Sequence, residues 1–291
     1  MTAATAPVVR RRRRSSRVTP GKIIIWVLTA LLIFVMAAPM VWLLISSFKT
    51  QNEFLTGGIF DLPAQWQWNN YFEAWVTGNF ATNVRNSVIA TLPSLFLLLL
   101  IGVAAGFVLE VMVWKGRNTT LLLFLAGIMV PGQMLLVPLF ISYFRLGLTE
   151  TYWPFILTYT AMGLPLTVFM MAAYFRSVPR EVFEAATIDG ASMLRSFWAI
   201  GIPMVSNAIV TLGLVQFFSI WNDLLVALTF VTNPDLATIQ VGLLNFSGEY
   251  GATNYGPLFA AICLNVFGTL IVFLMLSKKI MAGMASGAIK G

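Results

Sequence analysis

Six long apolar segments constrain this chain more than any other feature of its sequence. A helix needs roughly 20 consecutive apolar residues to cross the hydrocarbon core of a bilayer. The segments that reach this length are residues 22–47, 86–111, 120–144, 154–175, 204–230 and 257–277. Because the backbone finds no water at that depth, each segment must satisfy its own hydrogen bonds as a helix. The sequence therefore predicts an all-α, polytopic membrane protein with six transmembrane helices.

The rest of the chain divides into tails and loops around these helices. Residues 1–21 form a basic N-terminal tail, and residues 48–85 form a long loop after the first helix. Helices two to six make up a transmembrane domain over residues 86–278. Residues 279–291 form a C-terminal tail whose closely spaced glycines predict flexible chain rather than helix. The first apolar segment exceeds the roughly 7–15 residues of a signal-peptide core, so we expect it to remain as an anchor.

The ionisable side chains exclude several kinds of chemistry. The chain has no His, one Cys, Cys263, and only 10% charged residues. It therefore lacks the side chains for His-based catalysis and for the common His/Cys metal sites. No phosphate-binding loop with the pattern G-x-x-x-x-G-K-[ST] occurs. We expect a non-enzyme without metal or cofactor; if ATP drives it, a separate chain binds the ATP and Mg²⁺.

The basic residues predict the orientation of the helices. With six spans, fifteen of the eighteen lysines and arginines fall on the side of the N-terminus, and Lys49, Arg85 and Arg145 fall on the other. Cytoplasmic segments carry the excess of Lys and Arg, so both termini are expected in the cytoplasm of a bacterium, with the helices in its plasma membrane. The net charge of +7 then reflects topology, with anionic lipids rather than nucleic acid as the partner.

The predicted external loop 48–85 is rich in aromatic side chains. They are Trp66, Trp68, Tyr71, Phe72 and Trp75. Aromatic rings can stack on sugars, but at a membrane surface they more often form the belt at the lipid–water interface. We favour the belt.

The loop between helices four and five, residues 176–203, has the pattern of a helix–turn–helix. Pro179 suits the first turn of a helix. Gly190 interrupts the pattern, and Ser192 is a suitable N-cap for a second helix. Pro203, with the glycine two residues before it, is expected to end that helix. The loop therefore predicts two short helices on the cytoplasmic side.

This loop also carries a motif that resembles one known family. The matching residues are Glu184-Ala185-Ala186, Asp189-Gly190-Ala191, Phe197, Ile200 and Pro203. Together they resemble the EAA motif of the permease subunits of ATP-binding cassette importers. We call residues 176–203 the EAA loop.

Other stretches make the chain similar to the maltose-type sugar permeases of that family. They are Asn70-Tyr71, Trp221-Asn222-Asp223, the run Tyr255–Ala261 and the ending Gly283–Gly291. The resemblance covers nearly the whole chain. The sequence departs from it in the run Arg10–Arg14 and at Met284, where leucine is commoner. Neither departure touches the EAA motif.

The resemblance implies a complex with the type I importer permease fold. Two related permeases form the pathway, two ATPase subunits dock on their EAA loops, and an extracytoplasmic binding protein delivers a sugar or oligosaccharide. By this resemblance the residues that couple to the ATPase are Phe183, Glu184, Ala185, Ala186, Asp189, Gly190, Ala191 and Pro203. We expect Phe183, Ala185 and Ala186 to sit against the ATPase. The alternative class is an ion-coupled carrier, which would show repeats and several intramembrane charges; an integral membrane enzyme is less favoured still.

Charged residues within a membrane span mark function by default. Asp223 lies in the fifth predicted span beside Trp221 and Asn222, so these three residues are candidates for the substrate path. Asp223 would bind a sugar hydroxyl or would bond a neighbouring helix, and the sequence does not choose. Glu110, near the end of the second span, is expected to reach the interface. Small residues around Gly106 allow close helix packing, either within this chain or against a second permease.

Overall fold

The computed structural model describes residues 20–247 and 253–288, and side chains within residues 21–247 and 253–275. The Arg10–Arg14 run and the last three residues lie outside this part. The described chain is α-helical and has no strand. Its α-helices are α1 (Pro20–Ser46), α2 (Gln51–Thr56), α3 (Asn69–Val76), α4 (Phe80–Glu110), α5 (Arg117–Ile128), α6 (Leu136–Arg145), α7 (Trp153–Arg176), α8 (Arg180–Ile188), α9 (Met193–Ser196), α10 (Ile202–Met204), α11 (Ser206–Trp221), α12 (Leu225–Phe230), α13 (Ile239–Gly242) and α14 (Tyr255–Ala288).

Four of these helices are long and apolar enough to cross a membrane by themselves. They contain the stretches Gly21–Ser46, Phe80–Glu110, Trp153–Arg176 and Tyr255–Met275. Two further spans are bent pairs: Arg117–Ile128 with Gly132–Arg145, at 87°, and Met193–Met204 with Ser206–Trp221, at 74°. When each bent pair is counted as one span, the described residues contain six, which is the predicted number.

The two bent pairs correct the predicted helix boundaries. The third predicted span, 120–144, is not one helix, because the chain turns at Pro131, which has no N–H to continue the ladder. The fifth predicted span, 204–230, is interrupted at Val205 and again at residues 222–224. Mean hydropathy stays high across these breaks, so the apolar pattern alone merges elements that the backbone separates.

The bundle is organised around a close crossing of α4 and α7. Gly102 lies against Thr167, and Gly106 lies against Met171, where an added Cβ would be 2.6 Å from the Met171 Cβ. Only glycine lets the two backbones approach this closely. The small residues of α4 therefore pack within this chain, which settles the choice that the sequence left open.

The first helix stands at the edge of this bundle. Nearly every side chain of α1 before Trp42 is exposed, and Trp42 packs edge-on against Phe259 of α14 at 5.3 Å between ring centroids. The following loop is tied to the same helix by Gln51, which donates to the Thr253 carbonyl at 2.7 Å and accepts from the Tyr255 N–H at 2.9 Å. The α1 segment thus joins the fold mainly through α14.

The C-terminal tail is not as predicted. Instead of becoming irregular after Lys279, α14 continues past Gly283 and Gly287 to Ala288. Each glycine costs a helix only about 1 kcal/mol relative to Ala, and extending an existing helix is much easier than starting one. The long apolar segment that precedes the tail therefore carries the helix through the glycines.

Candidate functional site

The EAA loop lies at one end of the bundle, which we call the Glu110 end after the last residue of α4. As predicted, it forms two helices around a tight turn. Gly190 occupies the turn with a φ of +78°, a conformation that favours glycine. The Ser192 hydroxyl then accepts a hydrogen bond from the Arg195 N–H at 3.3 Å and caps α9.

The second half of the EAA loop differs from the prediction. Gly201 and Pro203 do not end the helix, because the chain passes through a π-helical turn at Phe197–Gly201 into α10 and bends only at Val205. Pro203 has no N–H to donate to the preceding turn, and the wider π geometry accommodates that gap. The loop and α11 are therefore a continuous but bent pair.

Aromatic side chains fix the EAA loop to the bundle. Phe107 of α4 lies at the centre, with ring centroids 5.7 Å from Phe183, 5.1 Å from Phe197 and 5.4 Å from Phe175, all edge-to-face. Such pairs add roughly 0.5–1.5 kcal/mol each to the energy of apolar burial. Phe183 and Ala186 are buried in this cluster or beside it. In the described structure these two side chains therefore face this chain's own core, and their contact with an ATPase stays a prediction.

The outer surface of the loop is built from other members of the motif. Glu184, Ala185, Asp189, Gly190 and Pro203 are exposed, and Ala191 is half-buried.

Two exposed apolar residues extend this surface, and the motif did not point to them. Ile188 is 86% exposed and Leu194 is 68% exposed. Adjacent large apolar side chains left in solvent are typical of a contact site. Their signal in the sequence is an apolar residue on either side of the glycine turn.

Charged side chains lie beneath the loop. The Glu110 Oε2 accepts a hydrogen bond from Arg176 Nη2 at 2.9 Å, and Arg180 Nη2 lies 4.0 Å from the other carboxylate oxygen. The sequence predicts that Glu110 simply reaches the interface. In the structure, its carboxylate is instead paired with arginine side chains. A cavity of about 220 Å³ lies between these charges and Phe183.

The proposed substrate-path residues make contacts between helices. The Asp223 Oδ1 accepts from the Tyr159 hydroxyl of α7 at 3.1 Å and from the Val226 N–H, in the first turn of α12, at 2.8 Å. Trp221 donates from Nε1 to the Asn265 Oδ1 of α14 at 3.0 Å. Asn222 is exposed, and its side chain donates to the Phe218 carbonyl of the helix that precedes it. Of the two roles open for Asp223, the structure supports the bond to a neighbouring helix.

A groove of about 690 Å³ runs beside Trp221 between α4, α11 and α14. Its lining is almost entirely apolar and includes Trp75, Leu99, Phe217 and Val272. Within the described residues there is no group of three or more His, Cys, Asp or Glu side chains that could hold a metal ion.

Comparison with known proteins decides the family. Residues 86–277 match the family described as binding-protein-dependent transport system inner membrane component, and this range is most of the chain. The chain belongs to this family. The permease is 33% identical to a diacetylchitobiose uptake system permease protein of Streptomyces coelicolor, over 96% of this chain and 90% of that protein. It is 32% identical to a melibiose/raffinose/stachyose import permease protein of Bacillus subtilis, over 92% of this chain and 96% of that protein.

The fold of the permease is also that of a solved transporter. A crystal structure of a bacterial ABC transporter involved in the import of the acidic polysaccharide alginate matches with a TM-score of 0.77 at 19% identity, over 89% of this chain and 98% of that one. The predicted fold class and the resemblance to importer permeases are confirmed. The permease is a transport subunit and not an enzyme, and no comparison favours an ion-coupled carrier.

Proposed function

We propose that this chain forms half of the transmembrane pathway of an ATP-driven importer for a sugar or oligosaccharide. The observation that carries the proposal is the family match over residues 86–277, which covers all but the last residue of the predicted transmembrane domain and includes its EAA loop. A second permease subunit would supply the other half of the pathway.

The names of the relatives support a neutral saccharide as the substrate class. The two permeases cited above are named for diacetylchitobiose and for melibiose, raffinose and stachyose. The residues that line the apolar groove include no charged side chain, so nothing there would select an ionic substrate. A sugar is recognised through hydroxyl hydrogen bonds and aromatic stacking, and Trp75 and Asn265 at the groove provide such groups.

The EAA loop is the surface on which we place the ATPase partner. Its exposed face combines Ala185 and Asp189 with the apolar Ile188 and Leu194. ATP and Mg²⁺ would be bound by that partner, and an extracytoplasmic binding protein would deliver the sugar at the opposite end of the bundle. A stiff pair of helices is suited to docking the ATPase. The movement of the ATPase must reach the transmembrane helices, and a flexible loop would deform instead of transmitting it.

The orientation follows from charge. Fifteen of eighteen basic residues fall on one side of a six-span topology, and we place that side, with both termini and the EAA loop, in the cytoplasm of a bacterium. Arg176, Arg180 and Arg195 all belong to the EAA loop or border it. Anionic lipid headgroups would then surround the basic end of the protein.

The test is transport by the complex purified through a tag on this chain and reconstituted in liposomes. We expect saturable uptake of one or a few labelled saccharides from a panel, which requires both ATP inside the vesicles and the binding protein outside. Vesicles that contain ADP are the control. Uptake that follows an imposed proton or sodium gradient in the absence of ATP would contradict the proposal and favour a carrier.

A further inference from the structure

We propose that Glu110 is a positioning residue that fixes the EAA loop to α4, so that movement of the loop reaches the bundle through α4. This inference rests on the proposed function. Along the chain, the loop connects α7, which precedes it, to α11, which follows it. The contacts that hold it from below, however, come from the last turn of α4.

The apolar part of this attachment is centred on Phe107. Its ring contacts Phe183 in the first helix of the loop and Phe197 at the start of the π-helical turn that follows the second helix. Gly201 makes room for the same ring, since a Cβ there would lie 3.3 Å from Phe107. One side chain of α4 thus contacts both halves of a loop that follows α4 in the chain only after α5, α6 and α7.

The polar part of the attachment is Glu110, which lies three residues after Phe107 and therefore on the same face of α4. Its carboxylate is bound by Arg176, the last residue of α7, and lies near Arg180, the first residue of α8. The Glu110 side chain is only 11% exposed, whereas the two arginine side chains are 65% and 63% exposed. The arginines therefore cover the carboxylate, and one anion joins three helices.

Local stability does not explain a glutamate at this position. The C-terminal end of a helix carries a partial negative charge, which disfavours an acidic residue there. Partial burial of the carboxylate adds a further desolvation cost. Arg176 suits its own helix end and does not require Glu110 for that reason. What the glutamate provides is a defined distance between the end of α4 and the first residue of the EAA loop.

The attachment leads into the close crossing of α4 and α7. Gly102 and Gly106 bring α4 into backbone contact with α7 just before Phe107. A displacement of the EAA loop is therefore passed to α4 and α7 together. If Glu110 no longer holds the loop, the ATPase can dock and hydrolyse ATP while less of the movement reaches the pathway.

The experiment measures sugar imported per ATP hydrolysed by the reconstituted complex. In Glu110→Gln, which keeps the shape of the side chain and removes its charge, we expect this ratio to fall roughly threefold, as suits a partly exposed ion pair. We expect the amount of ATPase bound to stay unchanged. The reversed pair, Glu110→Arg with Arg176→Glu, made together with Arg180→Gln so that no second arginine opposes the new cation, should recover most of the ratio. Lys115→Gln removes an exposed charge at the same end of the bundle and serves as the matched control.

A wild-type ratio in Glu110→Gln would overturn the inference, and so would failure of the reversed pair to recover while the complex is intact. Loss of the ATPase subunits from Glu110→Gln would also overturn it, because the residue would then act in docking. A wild-type complex that imports no saccharide with ATP would instead refute the proposed function. The two failures are therefore distinguishable.

Discussion

At the scale of single residues, Gly190 is constrained by its backbone conformation and not by the packing around it. It adopts a φ of +78°, and no atom lies within 4 Å of the position that a Cβ would take. Gly147, in the turn between α6 and α7, has a φ of +67° and equally open surroundings. A side chain at either residue would be penalised by the backbone conformation and not by a collision.

The pair gives a controlled test of the EAA loop. Gly190→Val and Gly147→Val should each cost about 1–2 kcal/mol of conformational energy, because a β-branched residue disfavours a positive φ. We expect only Gly190→Val to reduce the ATPase that co-purifies with the permease and to abolish transport. Equal co-purification of the two variants would argue against docking at this turn.

Asp223 provides a second prediction at this scale. Asp223→Asn retains an oxygen that accepts from Tyr159 and Val226, so the thermal unfolding midpoint and transport should change little. Asp223→Leu leaves the Tyr159 hydroxyl unpaired, which costs about 1–3 kcal/mol in a buried setting. We expect a lower unfolding midpoint in detergent-solubilised protein. We also expect lower transport in reconstituted protein. A leucine variant as stable and active as wild type would mean that the helix contact is unimportant.

At the scale of helices, the close crossing of α4 and α7 depends on glycine, which has no side chain, at the points of contact. A methyl group added at Gly106 would meet the Met171 Cβ at 2.6 Å and the Ala172 backbone nitrogen at 2.9 Å, and a backbone atom cannot move aside as a side-chain tip can. Gly268 of α14 is a useful contrast, because no atom lies within 4 Å of its Cβ position.

We therefore expect Gly106→Ala to destabilise the permease by about 1–3 kcal/mol through overpacking. Gly268→Ala makes the same chemical change without a collision and should leave stability equal or slightly higher, since Ala favours helix. Thermal unfolding followed by intrinsic fluorescence compares the two. A Gly106→Ala variant with an unchanged midpoint would show that the two helices can separate without cost.

At the scale of the whole molecule, the distribution of basic residues predicts the orientation of the bundle in the membrane. Deleting residues 1–19 removes six of the fifteen basic residues on the predicted cytoplasmic side, which leaves nine against three. The bias that sets orientation therefore survives the deletion.

Reporter fusions test this orientation. A fluorescent protein at the C-terminus should be fluorescent in both the full-length and the shortened chain, and alkaline phosphatase at the same place should be inactive. Phosphatase fused after Ala237, on the opposite side, should be active in both. Phosphatase activity at the C-terminus of the shortened chain would show that the N-terminal tail, and not the loops, sets the topology.

The features that the sequence alone determined are those that depend on neighbouring residues. Apolar length predicted six spans, and the spacing around Gly190 and Ser192 predicted the two helices of the EAA loop and its cap. The family followed from the same loop, because its motif is contiguous. These properties are local, since helix formation, capping and turns involve residues within about four positions of each other.

Only the tertiary structure decided which residues face each other. The pairing of Glu110 with Arg176 joins positions 66 residues apart, and no periodicity in the sequence reports it. The burial of Phe183 follows from the presence of Phe107, not from the motif that contains Phe183. Likewise, Asp223 became a contact between helices because α7 places Tyr159 opposite it. An apolar span predicts that its residues lie in the membrane. Only helix packing determines which face of the helix contacts lipid, a partner or the core.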